Sequence, residues 1–212
     1  FTDIPPERLY QTATEKELQI MAKRLDKGKD HHFALHRADH LYALDNGEFM
    51  LVGEEIAVEI TTRTNTSTKM STESYKYLQG SVVANRFNKE GEIIWTSFVP
   101  KLQESLFTMG ASYLSTYVPG QGLVLVYTDY MSNVEKTDPK QMLKCLISLS
   151  SRGYPLVMAS IDDMGKCNRE VLVRDKESEV LLSPVESRLL SGNEMLLYGF
   201  QGASYRLAKI SF

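Results

Sequence analysis

Three copies of one short apolar phrase divide this chain and restrict the folds available to it. The copies are GEFMLVGEEI from Gly47, GLVLVYTD from Gly122 and NEMLLYGF from Asn193, and each follows a polar or glycine-containing turn. In the first copy the apolar residues Phe49, Met50, Leu51 and Val52 are consecutive instead of alternating, which predicts a strand that is buried on both faces. Because another strand-like segment precedes each copy, we predict a chain built from a repeated antiparallel unit.

The first unit is predicted to contain four strands, at residues 33–44, 48–62, 77–87 and 92–100. Residues 63–76 are rich in Ser and Thr and poor in apolar side chains, so we expect a loop or a mobile hairpin tip there. The sequence Asn-Lys-Glu-Gly at 88–91 favours a hairpin turn, with Gly91 in the left-handed conformation. Trp95 lies on the fourth strand, and we expect it to be largely buried between adjacent sheets.

Two further units follow in the same order. Their predicted strands are at 107–118, 122–130, 156–161 and 168–174 in the second unit, and at 186–190, 193–200 and 205–212 in the third. The turn at 162–165 repeats the polar turn chemistry of 88–91. A short helix at 139–149 is predicted as an insertion in the second unit. Asp138 can cap it, Pro139 fits its first turn, and the apolar residues that follow have helical spacing: Met142, Leu143, Leu146 and Leu149.

These strands predict a mostly β fold of four-stranded antiparallel meanders, repeated as the blades of a partial β-propeller. The blades would cover about residues 33–103, 104–176 and 177–212. The repeat of about 70–75 residues exceeds the roughly 40–50 residues of common blades, and residues 63–76 with the inserted helix account for the excess. A β-sandwich is the alternative, but the strand phrases recur in one order, which favours the propeller.

Three blades are fewer than the four to eight or so that usually close a propeller. The chain also starts at Phe1 instead of Met, which a cleaved signal peptide or cloning would explain. We therefore expect either earlier blades in a longer protein or association of two copies through the open edges.

Residues 1–32 form a separate N-terminal helical segment in this interpretation. Thr14 and Glu17 have the spacing of a capping box, and Gly28 is placed to end a helix. We predict a helix at about 14–27 with one apolar stripe, formed by Leu18, Met21, Ala22 and Leu25. We expect this stripe to pack on the outside of the sheets, and docking of a partner protein is the alternative.

Composition excludes several classes of protein. Of the 212 residues, 42% are hydrophobic and 24% are charged, as in a soluble globular protein. The net charge is −3 with no basic face, which argues against a nucleic-acid partner. No stretch approaches the roughly 18 apolar residues of a membrane-spanning helix.

No motif in the sequence assigns a catalytic, cofactor-binding or metal-binding residue. The four histidines are clustered at 31, 32, 36 and 40. His32, His36 and His40 would fall near one face, but on a strand they are too far apart to share one ion. Cys145 and Cys167 are either free or one disulfide. A nucleophile elbow and a phosphate loop are both missing, and adjacent carboxylates such as Glu54 and Glu55 would point to opposite faces of a strand.

Two other features have structural explanations that we prefer. The aspartates at 162 and 163 lack the ligand spacing of a calcium loop, so a hairpin turn explains them better. The strand tyrosines, among them Tyr113 and Tyr198, are expected to pack in the core, with a tyrosine-lined mouth for a glycan or peptide as the alternative.

The phrases GEFMLVGE at 47–54, GEIIW at 91–95 and NEMLLYG at 193–199 are similar to those of uncharacterised exported β-propeller-like (repeat β-meander) proteins of Gram-negative bacteria. The resemblance covers about residues 33–212 and implies an exported location, in the periplasm or at the cell surface. It provides no site residues.

Two functions remain after these exclusions. The first is a non-catalytic binding or scaffold module of the bacterial cell envelope, with a protein or glycan ligand. The alternative is a glycan-active hydrolase or lyase with its site in the propeller channel. Polar and acidic side chains at the channel mouth would favour the enzyme, and an aromatic or apolar patch would favour the binder.

Overall fold

Consecutive antiparallel hairpins account for most of the architecture. A computed structural model describes residues 19, 23, 35–64, 66–105, 112–147, 154–174, 181–191, 193–201 and 204–212. The strands in these ranges are β1 (Leu35–Ala43), β2 (Phe49–Thr64), β3 (Ser71–Phe87), β4 (Ile93–Val99), β5 (Gln103–Ser105), β6 (Tyr113–Val118), β7 (Gly122–Thr128), β8 (Cys145–Ile147), β9 (Leu156–Ile161), β10 (Cys167–Val173), β11 (Leu181–Leu182), β12 (Arg188–Ser191), β13 (Glu194–Gln201) and β14 (Ser204–Ser211). The prediction of a mostly β chain is confirmed.

The strands form three sheets. In the first sheet β1 to β4 are an antiparallel meander, and β5 and β8 extend it beyond β3. The second sheet has the order β10-β9-β7-β6, again antiparallel between neighbours. In the third sheet β13 pairs with β11 and β12 on one side and with β14 on the other. The predicted antiparallel pairing within each unit is therefore correct.

The turns that connect these strands follow the predicted chemistry. Asn88 Oδ1 accepts hydrogen bonds from the backbone N–H groups of Glu90 and Glu92, and Gly91 has φ +85°. Asp162 repeats the arrangement with two backbone N–H groups of its own turn, and Gly165 has φ +80°. Both turns need only local side-chain acceptors and a glycine, which explains why the sequence predicts them well.

The three sheets pack face on face. A core between the first and second sheets contains Met50, Val52, Val82, Ala84, Val99, Tyr113, Leu123, Leu125, Tyr127, Val157, Ala159 and Ile161. A smaller core between the second and third sheets contains Leu114, Val126, Leu156, Met195 and Leu197. The second sheet is thus the middle layer of the stack.

The prediction that the first phrase is buried on both faces is wrong for β2, and burial on both faces is found in β7 instead. Every residue of β7 is buried, because β7 belongs to the middle sheet. In β2, Met50 and Val52 are buried while Phe49 and Leu51 are half-exposed. The phrase in β13 also alternates, with Met195 buried. The outer sheets pack through one face, so a similar sequence is buried differently in each layer.

The long hairpin of β2 and β3 corrects the prediction of a loop at 63–76. The two strands stay paired as far as Thr64 and Ser71, whose side-chain oxygens are 3.0 Å apart. The tip beyond this pair contains a turn at 66–68. Thr favours extended backbone, so a stretch with few apolar residues still continues the strand ladder into solvent. Val58 and Ile60 on this extension are more than half-exposed.

The helix predicted at 139–149 is wrong for residues 139–147, and its last two residues lie outside the described ranges. Residues Pro139–Gln141 form a single 3₁₀ turn, which Asp138 caps as predicted by accepting a hydrogen bond from Lys140 N at 2.9 Å. The chain then becomes extended, and β8 pairs in parallel with β5. Met142 is buried whereas Leu143 is half-exposed. Here the backbone hydrogen bonds between β8 and β5 stabilise an extended chain, although the apolar residues have a weak helical spacing.

The N-terminal helix predicted at 14–27 lies outside the described residues, except for Gln19 and Lys23, which are helical and exposed. No helix in the described ranges is long and apolar enough to cross a membrane.

Trp95 packs between the first and second sheets, as predicted, but it is only partly buried. Its indole N–H donates a hydrogen bond to the Asp163 carbonyl oxygen at 3.0 Å. Its ring contacts Gly165, where a Cβ atom would approach Trp95 Cδ2 to 2.9 Å. The indole is therefore covered on this side by the turn at 162–165 and not by side chains of the core.

Candidate ligand-binding cleft

A cleft of about 500 Å³ opens where the three sheets meet. Its wall from the first sheet comes from β1, its wall from the second sheet comes from the start of β6, and the third sheet contributes the 3₁₀ turn Pro184–Glu186 and β12. The lining residues are Arg37, Asp39, His40, Ser112, Tyr113, Leu114, Pro184, Ser187, Arg188 and Leu189.

A β-bulge places the β1 side chains of the cleft. Arg37 pairs with Glu54 and His40 pairs with Val52, so the register shifts by one residue between Ala38 and His40. Paired residues share a face of a sheet, and Glu54 and Val52 both point inward. The bulge therefore brings Arg37 and His40 to the same inner face, three residues apart. Bulges commonly redirect side chains in this way.

The same bulge overturns the predicted arrangement of the histidines. His36 pairs with Glu55 and so lies on the opposite face from His40. His31 and His32 lie outside the described residues. No group of three or more potential metal ligands is found in the described ranges.

A buried ion pair lies behind the β1 wall. The side chains of Glu54 and Lys101 are both fully buried, and Lys101 Nζ lies 2.5 Å from Glu54 Oε1. Lys101 Nζ donates a hydrogen bond to Gln103 Oε1 at 3.0 Å. Burial of a charge without a partner costs several kcal/mol or so, so each of these two residues requires the other. Glu55 points to the other face, as predicted for adjacent carboxylates.

Ser112 connects this ion pair to the cleft. Its hydroxyl donates to Glu54 Oε2 at 2.7 Å, and its backbone N–H donates to Gln103 Oε1 at 2.8 Å. Gln103 is itself held by the hydrogen bond from its Nε2 to the Thr128 carbonyl at 2.7 Å. Ser112 has φ +101°, a conformation that costs a residue with a side chain about 1–3 kcal/mol. Because hydrogen bonds to Glu54 and Gln103 hold Ser112 in this strained conformation, the wall is pre-organised for a ligand.

Asp39 is hydrogen-bonded through both carboxylate oxygens. Oδ1 pairs with Arg37 Nε, and Oδ2 accepts the Tyr113 hydroxyl at 2.9 Å. Burial, with the negative charge of Asp39 next, raises the pKa of Tyr113 far above its ordinary value. Burial lowers the pKa of His40, so its imidazole is neutral at pH 7. The His40 ring stacks on Tyr42 and meets the edge of Tyr113, with both centroid distances 5.9 Å.

On the third sheet, Arg188 is held at the rim of the cleft by the turn that precedes it. Arg188 is exposed, and its Nη1 donates to the Ser187 carbonyl oxygen at 2.9 Å. The Ser187 hydroxyl donates to the Ser183 carbonyl oxygen at 2.8 Å and accepts the Tyr198 backbone N–H at 2.9 Å. This buried serine fixes the 3₁₀ turn on β13 and thereby the start of β12.

A second buried polar cluster surrounds Asp129, which does not line the cleft. Asp129 Oδ1 accepts hydrogen bonds from Tyr130 N at 2.8 Å and Asn133 Nδ2 at 2.6 Å, whereas Oδ2 has no hydrogen-bond partner among the described residues. Burial raises the pKa of Asp129 to about 6, against the effect of these hydrogen bonds and of the positive charges of Lys101 and Arg169.

The two cysteines are both free. Burial raises the pKa of the Cys145 thiol far above its ordinary value, and it raises the pKa of Cys167 to about 11. Of the two alternatives that the sequence left open, the structure has the pair of unbonded thiols.

The sequence analysis considered two kinds of residue that bear on this cleft, the strand tyrosines, among them Tyr113 and Tyr198, and the clustered histidines, among them His40. Tyr113 does line the cleft, whereas Tyr198 lies on β13 and contacts Tyr205, with ring centroids 5.8 Å apart. The sequence contains one further signal for the polar residues of this cleft. Arg37, Asp39 and His40 are polar residues close together in a segment predicted as a strand, and such a cluster on an inward face needs partners.

A scan against protein-family models, a search of curated proteins and a search of solved structures each found no match. The resemblance stated from the sequence therefore stays a prediction. We infer the role of the cleft from the chemistry of the side chains that line it.

Proposed function

We propose that this protein is a non-catalytic ligand-binding module, and that its ligand occupies the cleft between the three sheets. The observation that carries this proposal is the strained Ser112 at the cleft wall, fixed by Glu54 and Gln103. Backbone strain of this kind is typical of binding and catalytic sites, where the surrounding structure maintains it. The mixed polar and apolar lining and the volume of about 500 Å³ are those of small-molecule sites.

The state of the acidic and phenolic groups supports binding over catalysis. Glycoside hydrolysis usually needs two carboxyl groups that reach the substrate. Glu54 is sealed behind the wall by Lys101 and Ser112, and both oxygens of Asp39 are engaged. The raised pKa of Tyr113 also disfavours the phenolate that a base would need.

His40 supports the second candidate, a glycan-active hydrolase or lyase. Its imidazole lines the cleft and is neutral at pH 7, which is the form that accepts a proton. An enzyme of this class would use His40 as its base, with the positive charge of Arg37 in the same lining.

The three stacked antiparallel sheets support the finer interpretation as propeller-like blades, since propeller blades also bury their faces against one another. A location in the cell envelope follows from the resemblance alone and belongs to the same proposal.

The proposal is tested by screening a panel of glycans and peptides for ligands that raise the melting temperature, with wild type, His40→Ala and His36→Ala. His36 is on the same strand but faces away from the cleft, so it is the matched control. We expect stabilising ligands for wild type and His36→Ala, and loss of that stabilisation in His40→Ala. Equal stabilisation of all three proteins would exclude the cleft as the site. Turnover of a glycan that depends on His40 would favour the enzyme instead.

A further inference from the structure

The outer face of the first sheet, which points away from the second sheet and the cleft, is deeply buried along β3. Val82 and Ala84 of this strand belong to the core on the inner face. Successive side chains of a strand point to opposite faces, so Val83, Asn85 and Phe87 point outward. Val83 and Asn85 are each only 3% exposed, and Phe87 is 6% exposed. None of the hydrophobic cores formed by the described residues includes Val83 or Phe87.

The outer face of the third sheet shows how exposed such a face is when nothing packs on it. On its central strand, β13, the outward-pointing Leu196 and Tyr198 are half-exposed. On β14 the exposed fractions of Tyr205 and Leu207 are 71% and 65%. Both β3 and β13 have a paired strand on each side, so neighbouring strands alone do not explain why the outer face of β3 is so much more buried.

Apolar side chains on the neighbouring strands extend the buried part of β3 into a patch. Phe49 and Leu51 of β2 and Phe98 of β4 point outward and are half-exposed. The Phe49 ring stacks on Phe87, with ring centroids 4.7 Å apart. The patch spans three adjacent strands and is therefore about 10 Å wide, which matches the diameter of one helix.

The N-terminal segment contains a helix of matching shape. The helix predicted at 14–27 would be about 21 Å long, with a single apolar stripe centred on Leu18 and Leu25. Gln19 and Lys23 are helical and exposed. At about 100° per residue they lie about 130° from the centre of the stripe, so the stripe is turned away from this exposed side.

The connection to β1 allows this helix to reach the patch. Residues 28–34 link the predicted helix to the start of β1 at Leu35 and can span up to about 23 Å. In the same sheet β3 is two strands from β1, a separation of about 10 Å. We infer that the helix at 14–27 docks through its apolar stripe on the outer face of the first sheet and adds a further layer to the stack. Because this face is opposite the cleft, the inference is independent of the proposed binding function.

Photo-crosslinking in the full chain tests the docking directly. p-Benzoylphenylalanine is incorporated at position 18, in the apolar stripe, or at position 23, on the exposed side of the same helix as the matched control. Mass spectrometry then locates the links. We expect links within one chain from position 18 to residues 83–98, and loss of these links from position 23. Equal linking from both positions, or links from position 18 to Leu207 or to a second copy, would overturn the inference.

Trypsin cleavage after Arg24 gives a second measurement that needs no probe in the helix. Phe98→Ala should accelerate this cleavage about tenfold or more, because a helix that loses its packing surface opens more often. Leu207→Ala, on the outer face of the third sheet, should leave the rate unchanged. Cleavage after Arg169 of β10 reports global unfolding. The inference fails if Phe98→Ala leaves the rate after Arg24 unchanged, or raises it no more than the rate after Arg169.

Discussion

Asp129→Asn should change how the stability of this protein depends on pH. Asp129 is fully buried, and this burial raises its pKa to about 6 from its ordinary value of 3.8. The folded state therefore binds the proton more tightly than the unfolded state does. Between about pH 4 and pH 6 the contribution of this carboxyl group to the stability of the wild type should be lost as the pH rises and regained as the pH falls. A difference of about two pKa units corresponds to about 3 kcal/mol.

Asparagine has nearly the same shape and keeps the oxygen that accepts from Tyr130 N and Asn133 Nδ2. Its amide nitrogen replaces Oδ2, for which the described part of the chain supplies no hydrogen-bond partner, so an unsatisfied donor offsets part of the gain in stability, by about 1–3 kcal/mol. We therefore expect Asp129→Asn to be more stable than wild type at pH 8 by about 1 kcal/mol. At pH 4, where Asp129 is protonated in the folded protein, the variant should be the less stable of the two.

Urea denaturation of both proteins at half-unit steps from pH 4 to pH 8 gives the free energy of unfolding needed for this comparison. Asp45→Asn, at an exposed turn, serves as the control and should follow the wild-type curve. The reasoning is refuted if wild type and Asp129→Asn show parallel curves over this range, because the buried carboxyl would then contribute no pH dependence.

Three other predictions concern stability and local environment. Glu54→Gln leaves Lys101 buried without its counter-ion and should lower the free energy of unfolding by about 3–5 kcal/mol; a loss below 1 kcal/mol in urea would contradict this. Gly165→Ala should lower the free energy of unfolding by about 2–4 kcal/mol, because the new Cβ clashes with the Trp95 ring and φ at this position is +80°. The control Gly120→Ala has a similar φ but open space around the new Cβ, so its loss of unfolding free energy should be limited to about 1–2 kcal/mol. Equal losses in the two variants would exclude the clash with Trp95 as the cause. Trp95 should emit at a wavelength between those of buried and exposed indoles, with partial quenching by acrylamide, and fully exposed emission would contradict its packing beneath residues 162–165.

The sequence predicts those features that depend on neighbouring residues. The turns at 88–91 and 162–165 follow from a polar side chain that accepts nearby backbone N–H groups and a glycine with positive φ. The order of antiparallel strands follows from such turns. The helix at 139–149 failed because its apolar spacing is also compatible with an extended chain, and the free edge of β5 is distant in sequence.

The cleft could not be predicted because its geometry depends on long-range register and on partners far apart in the chain. One extra residue at Asp39 decides which histidine faces inward. Glu54 and Lys101 are 47 positions apart, and neither has a local signal that it will be buried. Ser112 lies within a predicted strand, yet it adopts φ +101° because Glu54 and Gln103 hold it there.

The position of β7 in the middle layer has a consequence for how the molecule unfolds. Leu125 belongs to the core shared with the first sheet, and the next residue, Val126, belongs to the core shared with the third. Detachment of either outer sheet exposes one side of this strand to water. The loss of one sheet therefore lowers the stability of the middle sheet as well. The backbone amides of β7 should therefore exchange with deuterium only when the whole stack opens, which makes this strand the slowest-exchanging reporter of global unfolding.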